Sequence, residues 1–284
     1  MIFLRIFLFF CFFCLVKCVL AQDFEKRIDF LNYLINKELY NEAILESELI
    51  KKQFKNDSEQ KELLNILIAK SYFHIDKDSA LYYLDMIKQI EHKYYNYSKL
   101  LSSYLYLLDK ENEKATIELL KVQNMDTSEN CIYDLLNKSI LTIENKTKDS
   151  VRLICSDLFY QERVINENQE KLKSIKNKSP LIAGVMSGLV PGLGKIYVGK
   201  KKEGISNFLI ISLLGYQAYE GYRIGGKKDL RFITFSSLFS VFYIGNIWGS
   251  TLSVQIKKQE TYEEVYNNIS VTLTVPVDKL FKSK

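Results

Sequence analysis

Apolar residues recur at helical spacing through the stretch from Phe24 to Lys173. Leu31, Leu34 and Ile35 are followed by Ile44, Leu45, Leu49 and Ile50, and then by Leu63, Leu64, Leu67 and Ile68. Recurrence at i, i+3, i+4 and i+7 predicts amphipathic helices. The pattern breaks at Asn56-Asp57-Ser58, Asp76-Lys77-Asp78-Ser79 and Asp126-Thr127-Ser128, each supplying an Asp or Ser where a helix N-cap is wanted. Between Gln22 and Ser179 there is neither proline nor glycine, the two residues that cost most inside a helix. An all-α region is expected.

The breaks have a period. YNEAILESELIKKQ, KDSALYYLDMIKQI, NEKATIELLKVQ and KDSVRLICSDLF align on Ala43, Ala80, Ala115 and Ser150, at intervals of 37, 35 and 35 residues. In each piece the small residue stands near the start of the second helix of a pair, where two helices approach closely. A repeat of about 34 residues built from two helices is the tetratricopeptide pattern. YNEAI and KDSALYYL resemble the second helix of that family, and IAKSYFHIDKDSA resembles the join between its helices. The Trp, Gly and Pro positions of the family are mostly absent, so the resemblance is to a divergent member. It implies a TPR-like α-solenoid over residues 22–175, which offers a binding surface rather than a reaction.

Three apolar segments follow the basic stretch Lys171 to Lys178: PLIAGVMSGLVPGLGKIYVG, GISNFLIISLLGYQAYEGYRIG and FITFSSLFSVFYIGNIWGSTLSVQI. The last two have the length that crosses a hydrocarbon core, about 20 residues. Leu181 to Val190 is expected to be a short interfacial or re-entrant helix, followed by two spans in a transmembrane hairpin; three spans is the alternative. Gly245, Gly249 and Ser253, like Gly184 and Gly188, form small-xxx-small lines that let helices pack closely in lipid. Asn246 is expected to hydrogen-bond to another helix, and Gln217 and Glu220 to lie near the end of the second segment. Beyond residue 258 the tail ends in Ile269 to Val277, whose alternation reads as one strand or as a frayed end.

Between the first two segments lies VPGLGKIYVGKKKEG, Val190 to Gly204. Gly194-Lys195 does not make a phosphate loop: Leu189 stands where the first glycine is needed, Ile196 where Ser or Thr is needed, and no strand precedes it. The stretch resembles small membrane hairpin domains of the TM2-like kind, in particular one attached to helical-repeat regions in Bacteroidetes envelope proteins. The matching residues are Pro191, Gly192, Gly194, Tyr197, Gly199, Gly204 and Ile205, then Phe242, Tyr243, Gly245 and Asn246. Lys195 departs from the Gln common in that family. The resemblance covers residues 180–256 and implies topology more than activity.

Met1 to Ala21 reads as a signal peptide, with Arg5, a Phe/Leu/Ile core and Val19-Leu20-Ala21 before Gln22; an uncleaved anchor is the alternative. Cleavage would leave two of the five cysteines, Cys131 and Cys155. On antiparallel helices turning near Asn145 to Lys148 they would be offset by about 10 Å, too far for a disulfide, so both are expected to be buried thiols.

Net charge is +5, and the basic residues flank apolar runs at Lys200-Lys201-Lys202 and Lys227-Lys228, a placement that suits membrane borders and speaks against nucleic acid. The histidines, His74 and His92, lie far apart on unrelated helices with no ligand partners at metal spacing. No nucleophile, base or cofactor motif assembles, so neither an enzyme nor a cofactor is expected. The whole reads as a bacterial inner-membrane protein with a periplasmic repeat domain, acting as a scaffold for other envelope proteins through a concave face. A transport or insertion component using Asn246, Gln217 and Glu220 is the alternative. Membrane lipid is an expected partner, and the small-xxx-small faces also suit a homo-oligomer.

Overall fold

The computed structural model describes residues 24–53, 58–88, 93–144, 155 and 158–282. Helix α1 covers 24–36. It is followed by α2 (Tyr40–Gln53), α3 (Ser58–Phe73), α4 (Lys77–Asp85), α5 (Tyr95–Leu108), α6 (Asn112–Leu120), α7 (Thr127–Ile143), α8 (Phe159–Lys176), α9 (Pro180–Leu189), α10 (Leu193–Val198), α11 (Lys201–Gly225) and α12 (Leu230–Lys282). There is no strand among the described residues. The chain divides into two compact units: one of Met1–Ile140, Leu153–Leu158 and Leu273–Lys284, the other of Leu141–Arg152 and Phe159–Thr272. Helix α8, counted with the repeats in the sequence reading, therefore groups with α9 to α11.

The first unit repeats itself in detail. Ala43, Ala80 and Ala115 are each the fourth residue of α2, α4 and α6, and all three are fully buried. Each donates its backbone N–H to the carbonyl just before its helix, at Leu39, Asp76 and Glu111, over 3.0–3.1 Å. Four residues on, Ser47, Leu84 and Leu119 are buried, and seven on, Ile50, Ile87 and Val122. The joins 37–39, 74–76 and 109–111 have equal length. Glu38 and Lys110 occupy matching places in them, with φ of 61° and 64°. Consecutive helices pack in order from α2 to α6. Ser150, the fourth member of the series, lies outside the described residues.

Capping is local. Asp76 accepts from Ser79 N at 3.1 Å at the start of α4. Asp126 and Glu129 exchange side-chain and backbone bonds of 2.8 and 3.2 Å at the start of α7, which is a capping box. Asn96 holds the strand-free link before α7 by donating to the Gln123 carbonyl at 2.6 Å and accepting from its N–H at 3.1 Å.

Two expectations are overturned. Cys131 and Cys155 form a disulfide, with Cα atoms 5.8 Å apart. An offset of helical register does not apply to Cys155, which lies outside any helix, ahead of α8. The tail is helical, not a strand: α12 runs unbroken through Ile269 to Val277. The two-residue alternation there also sets Ile269 and Leu273 four apart, in step with Val265 before them, and those three are fully buried along one helix face. A helix stacks i, i+4 and i+8 together, so burial decided in favour of the longer period.

In the second unit α8 runs antiparallel to the later part of α12. Lys171 pairs with Glu264 at 2.7 Å, and Asn268 donates to Asn168 at 3.3 Å. The Lys171 hydrogen bond and charge hold the Glu264 carboxyl below its usual range. Helices α11 and α12 are also antiparallel. Gly221 faces Phe232, Gly215 faces Phe239, and Asn207 bonds to Asn246 at 3.1 Å. Of the described helices, α12 is the one long and apolar enough to cross a membrane by length and composition.

Candidate functional site: the broken helix of the apolar unit

Ten residues of α9 rise about 15 Å, half the thickness of a hydrocarbon core. Beyond Leu189 the chain turns, with Gly192 at φ 82°, and α10 leads back. The two ends meet: Lys178 Nζ donates to the Tyr197 carbonyl at 2.5 Å, and Ser179 N–H to the Tyr197 hydroxyl at 3.3 Å. The pair α9–α10 thus starts and finishes at one level.

A helix end leaves its last four carbonyls unpaired, and the next helix start leaves its first amides unpaired. Here side chains of the neighbouring helices take them up. Asn246 accepts from Gly192 N–H at 3.0 Å and donates to the Ser187 carbonyl at 3.2 Å. Tyr243 donates to the Gly188 carbonyl. Ser187 Oγ accepts from Gly194 N–H at 2.9 Å and shares a hydrogen with Ser250 Oγ at 2.6 Å. Asn207 of α11 supplies the third bond to Asn246. Asn246 is 4% exposed, and Ser187 and Ser250 are fully buried.

The glycines serve different ends. A Cβ on Gly192 would lie 2.0 Å from the Gly204 carbonyl oxygen, and one on Gly204 2.6 Å from that of Gly192, so these two backbones touch. A Cβ on Gly194 would lie 2.0 Å from the Ala183 carbonyl oxygen. Gly199 has open space around it but holds φ at 106°. Gly194→Ala is therefore expected to force α9 from α10 and to cost about 2–3 kcal/mol. Gly199→Ala should cost about 1 kcal/mol through φ alone. Thermal denaturation of the two variants in detergent, side by side, checks the order.

Pro191, Gly192, Gly194, Tyr197, Gly204, Tyr243 and Asn246 are thus brought together. Gly245 is not: nothing lies within 4 Å of where its Cβ would be, and Gly249 meets only the Lys195 stem at 4.0 Å. The packed seam of α12 runs through Asn246, Ser250 and Val254, and of the expected small-residue line Ser253 is buried beside it. Gln217 and Glu220 stand ten and thirteen residues beyond Asn207 on α11, about 15–20 Å along the helix axis. The three polar residues of a transport reading are therefore separated.

Asn207, Ser187 and Ser250 were missed. Asn207 had a signal, since it falls in step with Gly204, Ile211, Ala218 and Gly221 on the buried face of α11. Among the described residues no group of three or more His, Cys, Asp or Glu could hold a metal ion. In the first unit, burial lowers Lys70 to about 8. Its ammonium lies 5.9 Å from the centre of the Tyr97 ring. Compared with protein-family models, with curated proteins and with solved structures, the chain has no match.

Proposed function

We propose that the chain is a membrane-anchored scaffold of the bacterial cell envelope. In this reading α11 and the apolar half of α12 cross the inner membrane as a hairpin. Helices α9 and α10 dip into it and return, and a TPR-like repeat domain in the periplasm binds other envelope proteins. The observation that carries the membrane part is the exposure of large apolar residues. Leu181, Val185 and Leu189 of α9, Leu209, Leu213 and Ile224 of α11, and Val241, Ile244 and Trp248 of α12 all face outward. A folded monomer in water rarely exposes such a continuous apolar surface.

Pairing of α8 with the later part of α12 supports two crossings. Both flanks of the apolar region then lie on one side, which an even number of crossings satisfies. The disulfide supports an oxidising compartment for the repeats. Binding through the repeats is supported by a row on the second helix of each pair. Leu45, Tyr82 and Ile117 each stand two residues past the buried alanine and are 67%, 62% and 53% exposed.

Crosslinking in native membranes, with mass-spectrometric identification of what is captured, tests the reading. Expected is capture of envelope proteins by the wild-type chain and loss of that capture when Leu45, Tyr82 and Ile117 are all changed to Ser, with membrane retention unchanged. Release of the chain by an alkaline wash would sink the membrane part. Unchanged capture by the triple variant would sink the surface.

A further inference from the structure

The two ends of the α11–α12 pair use their cations differently. Where α11 begins, Lys195 lies 3.5 Å from Glu203, Lys200 3.4 Å from Glu260, and Lys257 3.7 Å from Glu260. Lys178 donates to the Tyr197 carbonyl. Lys201, Lys202 and Lys258 have no carboxylate partner there among the described residues but stand beside Glu203 and Glu260 in the sequence.

At the other end, the turn between the helices carries Arg223, Lys227, Lys228 and Arg231 within nine residues. All four are exposed, and none has a carboxylate at ion-pairing distance among the described residues. The acid in the turn, Asp229, is committed to the backbone. Its Oδ1 accepts from Arg231 N–H at 2.7 Å and Phe232 N–H at 3.3 Å, capping α12. Beside these cations lie exposed Tyr222, Ile224, Leu230 and Ile233. Unpaired cations bordering an apolar belt match one leaflet of a charged bilayer, with phosphate at the surface and acyl chain beneath.

We propose that this turn is a binding surface for the headgroups of anionic phospholipids. Arg223 and Arg231 offer guanidinium forks suited to phosphate, Lys227 and Lys228 add charge, and Tyr222, Ile224 and Leu230 sit at the acyl boundary. The proposal rests on the membrane reading above. A cation beside an anionic surface contributes about fivefold to association, so removing two lowers it by about 25-fold.

The test uses the full chain in detergent, incubated with equal amounts of phosphatidylglycerol and phosphatidylcholine, with retained lipids counted by native mass spectrometry. Wild type is expected to retain phosphatidylglycerol in preference, and Lys227→Gln with Lys228→Gln to lose most of that preference. Phosphatidylcholine retention, unchanged in the same sample, reports that the apolar surface is intact. Lys201→Gln with Lys202→Gln at the opposite end should lose less. Absence of any preference in the wild type, or an equal loss at both ends, overturns the proposal. Failure of the membrane reading looks different: the chain would stay soluble without detergent and would not float with phosphatidylcholine vesicles.

Discussion

Replacing Asn246 with leucine will release the turn between α9 and α10. The two side chains share a branched skeleton of four heavy atoms, so the change removes polarity with only a modest gain in bulk. Left behind are the Gly192 N–H, the Ser187 carbonyl and the Asn207 amide, all of which Asn246 now satisfies. A buried group that loses its partner costs about 1–3 kcal/mol, so three cost roughly 3–9 kcal/mol when none can relax to water. In hydrocarbon there is no water to relax to. Hydrogen exchange in detergent should show amides 186–198 losing two or more orders of magnitude of protection, at about 1.4 kcal/mol per factor of ten, while α8 and the later part of α12 keep theirs. Tyr243→Phe, which frees the Gly188 carbonyl alone, should cost about 1 kcal/mol. Equal protection in Asn246→Leu and wild type would show that Asn246 is not what holds the turn.

Where a residue's role depends on its immediate neighbours, it was legible in the sequence. The buried alanines could be found because a helix pair repeats its small residue at one place, and Asp76 and Asp126 because a cap acts over three residues. The broken helix between α9 and α10 was legible for the same reason: Pro191 and the glycines interrupt an apolar run, and freed backbone groups must be paired somewhere. Which groups would pair them was less legible. Asn207 bonds to Asn246, 39 residues on, and Ser250 to Ser187, 63 residues back, and only the packing of helices distant in sequence brings these partners together.

Register was the other limit. Gly245 and Gly249 have the spacing of a packed seam, yet Asn246 and Ser250, one residue on, are the ones buried, and a helix face shifts by about 100° for each residue. Spacing identifies a face without saying which way it points. The tail shows the same weakness in another form, because Ile269 to Val277 fits a period of two and a period near four equally well.

Breaking the Cys131–Cys155 disulfide is the other change expected to have a large effect. The bond joins α7 to Cys155, which lies outside any helix, across a separation of 24 residues. Closing a loop of that size restricts the unfolded chain by about 3.5 kcal/mol, a large part of the roughly 5–15 kcal/mol that holds an ordinary domain folded. Neither cysteine is fully buried, so Cys131→Ser removes a crosslink and leaves little cavity. Hydrogen exchange of α7 in the full chain should report the loss, and wild type treated with reductant should match the variant. Amides of α11 should not change, because the crosslink restrains no part of that helix. A non-reduced digest should contain the Cys131 and Cys155 peptides joined. If they appear separately, with both thiols open to alkylation, the crosslink is absent from the native protein. If the repeats lie in the periplasm as proposed, the disulfide ties folding to location. Chain made without residues 1–21 and retained in a reducing cytoplasm should keep both thiols and show the lower protection of the Cys131→Ser variant, whereas exported chain should not.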